Sequence, residues 1–296
     1  MRATRMSMQK ARERAARFAR LSWGALAYLL FIFLFWALTG ANGGGAGYLP
    51  IASTIQWLIA GVAVVLPIIL VVLAWRVFGK GHPVRWSAGL GLWFTLVEAM
   101  IGVGWATASL STGWVIFLQV VGSINRLFWL ASLALMAWWS SGGAPIRLSR
   151  QGKKPGMALA ALAGMLLLEV TGVMVAPGNG LPALETRAVA GYFTHFRVYY
   201  LALAVLVTLY VTGLAWWIRA GQSGPSQRRW LAAGIALFGV QLVLGGIGLL
   251  PGAPVWVQWA HRLAADLSWL VVVLSVALLL GDAEKTPALR LVHDLA

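Results

Sequence analysis

Two of the four histidines, His195 and His261, lie inside long apolar stretches, whereas His82 and His293 lie in polar surroundings. The sequence predicts that both apolar stretches are membrane helices running in the same direction. Each histidine falls in the outer part of its helix, so the two imidazoles are expected at a similar depth. Polar rings inside a bilayer are costly and are usually functional. This pair is therefore the first candidate for a site.

Two imidazoles at one depth suit a haem iron, which needs only two axial ligands. Zinc requires three or four ligands, and the chain offers no third histidine nearby and no cysteine. Arg197 and Arg262 lie beside the two histidines, where guanidinium groups would suit haem propionates. The residues thus favour a haem held by His195 and His261. Hydrogen-bonded packing histidines, or a proton relay, stay open as alternatives.

The elements that must position these residues are membrane spans, because 60% of the 296 residues are hydrophobic and only 10% are charged. A window of about 20 apolar residues crosses the hydrocarbon core of a bilayer. Eight windows are predicted, at residues 22–40, 52–75, 87–108, 114–139, 156–176, 186–218, 229–250 and 254–281.

The net charge of +15 follows the predicted membrane topology. Of the 23 basic residues, 19 fall on one side of an eight-span chain, and the exceptions are Arg126, Arg187, Arg197 and Arg262. This distribution indicates that both termini are cytoplasmic, as in a prokaryotic plasma membrane, and it argues against a nucleic-acid partner.

The spans divide into two similar sets, which predicts an all-α integral membrane protein built from two pseudo-symmetric four-helix bundles. The stretches "LVEAMIGVGWATASL" and "GVQLVLGGIGLLPGA" occupy corresponding places, as do "VGSINRLFWL" and "VQWAHRLAAD". The predicted units are a basic cytoplasmic segment, a first half, a cytoplasmic connector, a second half that binds the haem, and a cytoplasmic tail, at residues 1–21, 22–139, 140–155, 156–281 and 282–296.

Other polar residues lie within the predicted spans. Glu98 is a weak candidate for catalysis by default, with Gln56 and Arg126 as possible neighbours facing an interior cavity. The alternative for Glu98 is a hydrogen bond between helices. Glu169 and Asp266 are similar cases, and Asp266 is better placed for a polar contact between the two bundles than for orienting His261.

The second half resembles the haem A synthase family in "TGVMVAPGNG", "HFRVYYLALAV", "QLVLGGIGLLPG" and "QWAHRLAADLSW". The eight-span duplicated architecture of the whole chain resembles that family too, while the motifs cover residues 165–275. Family members oxidise a methyl group of haem O in the first half and hold a b-type haem in the second. The resemblance implies one haem b per chain, with His195 and His261 as its iron ligands.

The first half departs from the family. It lacks the Glu-x-x-His-Arg motif of span 2 and the cysteine pair, and Asn125 stands where the family has a histidine in span 4. An asparagine cannot replace an imidazole as a strong haem ligand. The sequence therefore predicts that the first half holds no haem between two histidines.

Three functions follow from this pattern. The first is electron transfer by the second-half haem, with quinol or subunits of a respiratory complex as partners beside the lipid bilayer. The second is a divergent haem A synthase, an oxidoreductase acting on haem O. The third is a non-catalytic subunit or assembly factor of a respiratory membrane complex. Whether the chain is an enzyme stays open at this point.

Overall fold

Eight helices make up most of the described chain. The computed structural model describes residues 2–40, 50–107, 112–149, 151–175, 187–221, 225–248, 250 and 254–281, and within these ranges not every side chain is described. The helices are α1 (Arg2–Gly40), α2 (Pro50–Val77), α3 (Pro83–Thr107), α4 (Thr112–Ser140), α5 (Lys154–Val175), α6 (Arg187–Gly221), α7 (Pro225–Gly248) and α8 (Val255–Leu280). The described residues contain no strand, only an isolated bridge between Ile146 and Gly281.

Seven of these helices are long and apolar enough to cross a membrane, and the chain is an integral multi-pass membrane protein. A helix suits this setting because it satisfies its own backbone hydrogen bonds where no water is available. In α2 the described apolar stretch is shorter, Gly61–Val77. The prediction of eight spans is thus matched for seven helices.

The helix α1 joins two units that the sequence analysis separated. It runs without a break from Arg2 to Gly40, so the basic N-terminal segment and the first apolar window form one helix. Its basic part packs on the turn after α2, where the rings of Phe18 and Phe78 meet edge to face with centroids 5.2 Å apart. Gly81 continues that turn with a φ of 83°, a conformation that favours glycine.

The core of the molecule lies along α4 and α8. In their apolar spans 61% and 72% of the residues are buried, against 22–39% in the other five candidate spans. In the first set, each of the helices α1 to α4 contacts the next one along the chain, and α1 also contacts α4. In the second set, each of the helices α5 to α8 contacts the next one, and α5 also contacts α8. The two sets meet where α4 packs on α5 and α8. Trp269 Nε1 donates a 2.7 Å hydrogen bond across this contact to the carbonyl oxygen of Leu127.

The connector after α4 folds back on the end of α8. The backbone N–H of Arg147 and the side-chain amide of Gln151 both donate to the carbonyl oxygen of Leu280, at 3.1 and 2.9 Å. Carbonyls in the last turn of a helix have no partner within that helix, so these two bonds supply one. The connector therefore ties the start of α5 to the last turn of α8.

Candidate functional site

His261 lies on α8 and faces α7. Its Nδ1 is 3.2 Å from the backbone carbonyl oxygen of Gln241. Because a carbonyl oxygen can only accept, Nδ1 carries the hydrogen of this bond. In the neutral imidazole the free lone pair is then on Nε2. Histidines that bind metals usually have their other ring N–H held in this way.

A small cavity adjoins His261 where α5, α6, α7 and α8 meet. Its described lining includes Leu168, Tyr200, Thr208, Gln241, Gly245 and His261. The lining is mainly apolar with a few polar groups, as is usual for sites that bind small molecules. Its volume is about 20 Å³, room for a group the size of water. A porphyrin therefore fits among these residues only if the helices separate.

The second predicted ligand is less fully defined. The backbone at 195 and 197 belongs to α6, but the side chains of His195 and Arg197 lie outside the described residues. The pairing of His195 with His261 therefore stays a prediction. His82, which the sequence analysis placed in polar surroundings, stacks on Phe78 with ring centroids 4.6 Å apart.

Arg262 follows His261 on α8, and it is exposed on the surface of the described chain. It lies within electrostatic range of Arg126, Glu169 and Asp266. A positive charge beside His261 agrees with the expected interaction with propionates, but that interaction stays a prediction.

A buried ionic group joins the two halves next to this site. The guanidinium of Arg126 on α4 donates to Glu169 Oε1 on α5 at 2.7 Å, and its Nε lies 3.3 Å from Asp266 Oδ1 on α8. The second contact is an ion pair without hydrogen-bond geometry. The side chains of Arg126 and Asp266 are only 6% and 4% exposed. As the sequence predicted, Asp266 makes a polar contact between the halves.

Glu98 makes a hydrogen bond between helices. Asn125 Nδ2 on α4 donates to Glu98 Oε2 on α3 at 2.8 Å and also lies 3.0 Å from the carbonyl oxygen of Phe94. The contact thus matches the alternative that the sequence left open for Glu98. A catalytic role for Glu98 stays an untested prediction. The side chain of Gln56 lies outside the described residues.

A second, wider cavity of about 330 Å³ lies between α3 and α4. Its described lining is mainly apolar and includes four aromatic side chains, those of Trp86, Phe94, Phe128 and Trp139. It contains none of the residues that the sequence analysis selected as candidates. This space in the first half is suited to apolar groups rather than to acid–base chemistry.

Sequence reasoning overlooked the contribution of α7 to the site. The carbonyl oxygen of Gln241 accepts from His261, and Gly245 lies directly against the imidazole ring. Neither feature is visible in the residue types alone, because one is a backbone atom and the other is the lack of a side chain. The usable signal is the four-residue spacing, which places 241 and 245 on one face of a helix.

Comparison with known proteins gives a partial match. No family model matches the chain. The chain is 36% identical over 292 residues to two curated proteins named protoheme IX farnesyltransferase, from two strains of Thermus thermophilus. The alignment covers 87% of this chain and 48% of each relative. The chain therefore spans about half the length of the curated relatives it matches.

This finding corrects the family and the functions expected from the sequence. The relatives carry the name of a prenyl-transferring enzyme, so the resemblance to haem A synthase was wrong, and so were the functions drawn from it. Those functions were electron transfer by haem b, haem O oxidation by an oxidoreductase, and a subunit or assembly role in a respiratory complex. The physical reason is that the motifs behind the resemblance place histidine, glycine and arginine in apolar helices. Such residues suit porphyrin binding in general and do not specify which reaction follows.

Proposed function

We propose that this chain is the protohaem-holding half of a membrane protein that works in protohaem farnesylation. The observation that carries the proposal is the 36% identity, over 87% of this chain, to relatives named protoheme IX farnesyltransferase. Such a reaction needs a porphyrin and a prenyl donor. Because the match spans only about half of each relative, we assign one of these two substrates to this chain.

The surroundings of His261 support the porphyrin as that substrate. The Gln241 carbonyl fixes one ring nitrogen, which leaves Nε2 for an iron atom. His195 on the adjacent α6 is the proposed second ligand, and Arg197 and Arg262 are the proposed partners of the propionates. Iron bound in this way belongs to the substrate and keeps the macrocycle in the membrane. Binding of a porphyrin here requires the helices around the cavity to separate, because the cavity has a volume of only about 20 Å³.

The prenyl donor is proposed to bind outside the described part of this chain. Prenyl donors carry a diphosphate, and proteins commonly hold such groups through Mg²⁺ bound to carboxylates. Among the described residues no group of three or more histidine, cysteine or acidic side chains could hold a metal ion. Glu169 and Asp266 are engaged with Arg126, and Glu98 with Asn125.

The finer architecture belongs to the same proposal. The chain has eight spans in two related halves, at 22–139 and 156–281, with the segments 1–21, 140–155 and 282–296 on the cytoplasmic side of a prokaryotic plasma membrane. Support comes from the basic residues, of which 19 of 23 lie on that side of such a topology. Further support comes from matching contacts in the two halves. Asn125 of α4 makes a hydrogen bond to α3, and His261 of α8 makes one to α7. No contact among the described residues bears on quinol or respiratory subunits as partners.

The test is a titration of the purified full chain with protohaem, followed by its absorption spectrum. The wild type and the control His82→Ala are expected to bind one protohaem saturably, because His82 lies in the turn between α2 and α3 and does not line the cavity beside His261. His261→Ala is expected to bind at least about tenfold more weakly, the usual effect of disturbing a metal site.

A second measurement tests the division of substrates. The chain is incubated with protohaem and farnesyl diphosphate, and the porphyrins are analysed by mass spectrometry. We expect no farnesylated haem from this chain alone. If the wild type binds no protohaem, the proposal is overturned. If the chain alone makes farnesylated haem, it binds both substrates and the proposed division is wrong.

A further inference from the structure

Gly245 on α7 lies directly against the imidazole of His261. A Cβ atom placed on Gly245 would lie 3.0 Å from Cε1 of that ring, 3.4 Å from Nδ1 and 3.6 Å from Nε2. The shortest of these separations is tighter than ordinary van der Waals contact between carbon atoms. Any side chain at 245 would therefore force the ring, or one of the two helices, to move.

The same turn of α7 supplies the hydrogen-bond acceptor for this ring. Gln241 lies four residues before Gly245, on the same face of the helix, and its carbonyl oxygen is 3.2 Å from His261 Nδ1. A methyl group at 245 would displace the ring and change this bond, and since 3.2 Å is already at the long end of the range for such bonds, a small further separation would break it. The absence of a side chain at Gly245 and the carbonyl oxygen of Gln241 thus both determine the position of the His261 ring.

We propose that Gly245 is a positioning residue for porphyrin binding, because its lack of a side chain lets His261 reach the Gln241 carbonyl and fixes the direction of Nε2. The porphyrin part of this inference rests on the proposed function, whereas the placement of the ring does not. Gly245 touches the imidazole and acts through it.

The neighbouring glycine provides a matched control. Gly246 lines the same cavity, but a Cβ atom there would meet nothing within 4 Å. Gly245→Ala and Gly246→Ala add the same methyl group to adjacent positions of one helix. They differ in whether that group meets His261.

The first test is protohaem titration of the full chain. Gly245→Ala is expected to weaken binding by about tenfold or more and to alter the absorption spectrum, as happens when the partners of a metal-binding histidine are changed. Gly246→Ala is expected to bind as the wild type does. Equal losses in the two variants would overturn the inference.

A double variant separates positioning from a general structural effect. If Gly245 acts through His261, then adding Gly245→Ala to His261→Ala should change protohaem affinity by no more than about twofold. A further large loss in that background would show a role independent of the ring. Should Gly245→Ala alone fold poorly, the double variant is expected to fold as well as His261→Ala, because the methyl group then has no ring to meet. A double variant that folds as poorly as Gly245→Ala would contradict the inference that Gly245 acts through His261.

Nitrogen NMR of His261 without porphyrin tests the placement independently. The wild type and Gly246→Ala should show a hydrogen-bonded Nδ1–H, and Gly245→Ala should lose it. An unchanged Nδ1–H in Gly245→Ala would refute the positioning role even if protohaem binds as proposed. Conversely, Gly245→Ala could lose the Nδ1–H while the wild type binds no protohaem. That result would support the placement of the ring and overturn the proposed function.

Discussion

Removal of the Arg126 charge should be the most damaging single change in the membrane interior. The side chain of Arg126 is 6% exposed and faces two acids, Glu169 Oε1 at 2.7 Å and Asp266 Oδ1 at 3.3 Å. Arg126→Met keeps much of the side-chain volume and removes the charge. Two carboxylates would then remain at the contact of α4, α5 and α8 without this partner.

The expected loss of stability in Arg126→Met follows from two opposing contributions to the free energy of unfolding. With an effective dielectric constant of about 20, each attraction is worth about 5–6 kcal/mol at these distances. Desolvation of the ions offsets much of that, at several kcal/mol per ion. Removing only one partner keeps the desolvation cost of the acids and loses the attraction. We therefore expect Arg126→Met to lower the free energy of unfolding by about 3–5 kcal/mol.

The assay is unfolding of the detergent-solubilised chain by a denaturing detergent, followed by circular dichroism. Arg14→Met is the matched control, because Arg14 is an exposed arginine of α1 and should change stability little. The triple variant Arg126→Met/Glu169→Gln/Asp266→Asn should recover most of the lost stability, since it also removes the unpaired charges.

Two results would refute this reasoning. A loss below about 1 kcal/mol in Arg126→Met would place the contact in the range of exposed ion pairs. A triple variant that is no more stable than Arg126→Met would show that unpaired carboxylates are not the cause of the loss.

The same assay checks two packing predictions. Gly234→Ala should lower stability by about 1–3 kcal/mol, because its Cβ would lie 2.6 Å from Val271 Cγ1 and force apart α7 and α8. Gly239→Ala, whose Cβ meets nothing within 4 Å, is its control, and equal effects of the two would show that the close approach is unimportant. Trp269→Phe should lose about 0.5–1.5 kcal/mol with the 2.7 Å bond to the Leu127 carbonyl. Unchanged stability there would mean that the bond adds nothing to the contact of α4 with α8.

The helices were predictable from the sequence because hydrophobicity along a chain is a local property. A run of apolar residues long enough for the bilayer core must form its own backbone hydrogen bonds, whatever surrounds it. The ends were less predictable. The basic residues before the first window suggested a separate segment, yet α1 continues through them, since neither a proline nor a glycine interrupts residues 2–23.

The candidate site was predictable only in part. His261 was recognisable because an imidazole in an apolar helix is unusual. Its partners on α7 were not recognisable, because a backbone carbonyl and a missing side chain have no signature in the residue types. The motifs around the histidines also did not fix the reaction, since residue types that suit a ligand do not specify the chemistry carried out on it.

The sequence by itself determined an all-helical membrane chain and the presence of unusual polar groups inside its spans. Only the tertiary structure decided which of those groups meet. Arg126 lies 43 residues from Glu169 and much farther from Asp266 along the chain, yet all three converge where α4, α5 and α8 pack. Charges in a medium of low polarity must be paired, but the sequence does not state the partner, because helix packing sets the distances on which that pairing depends.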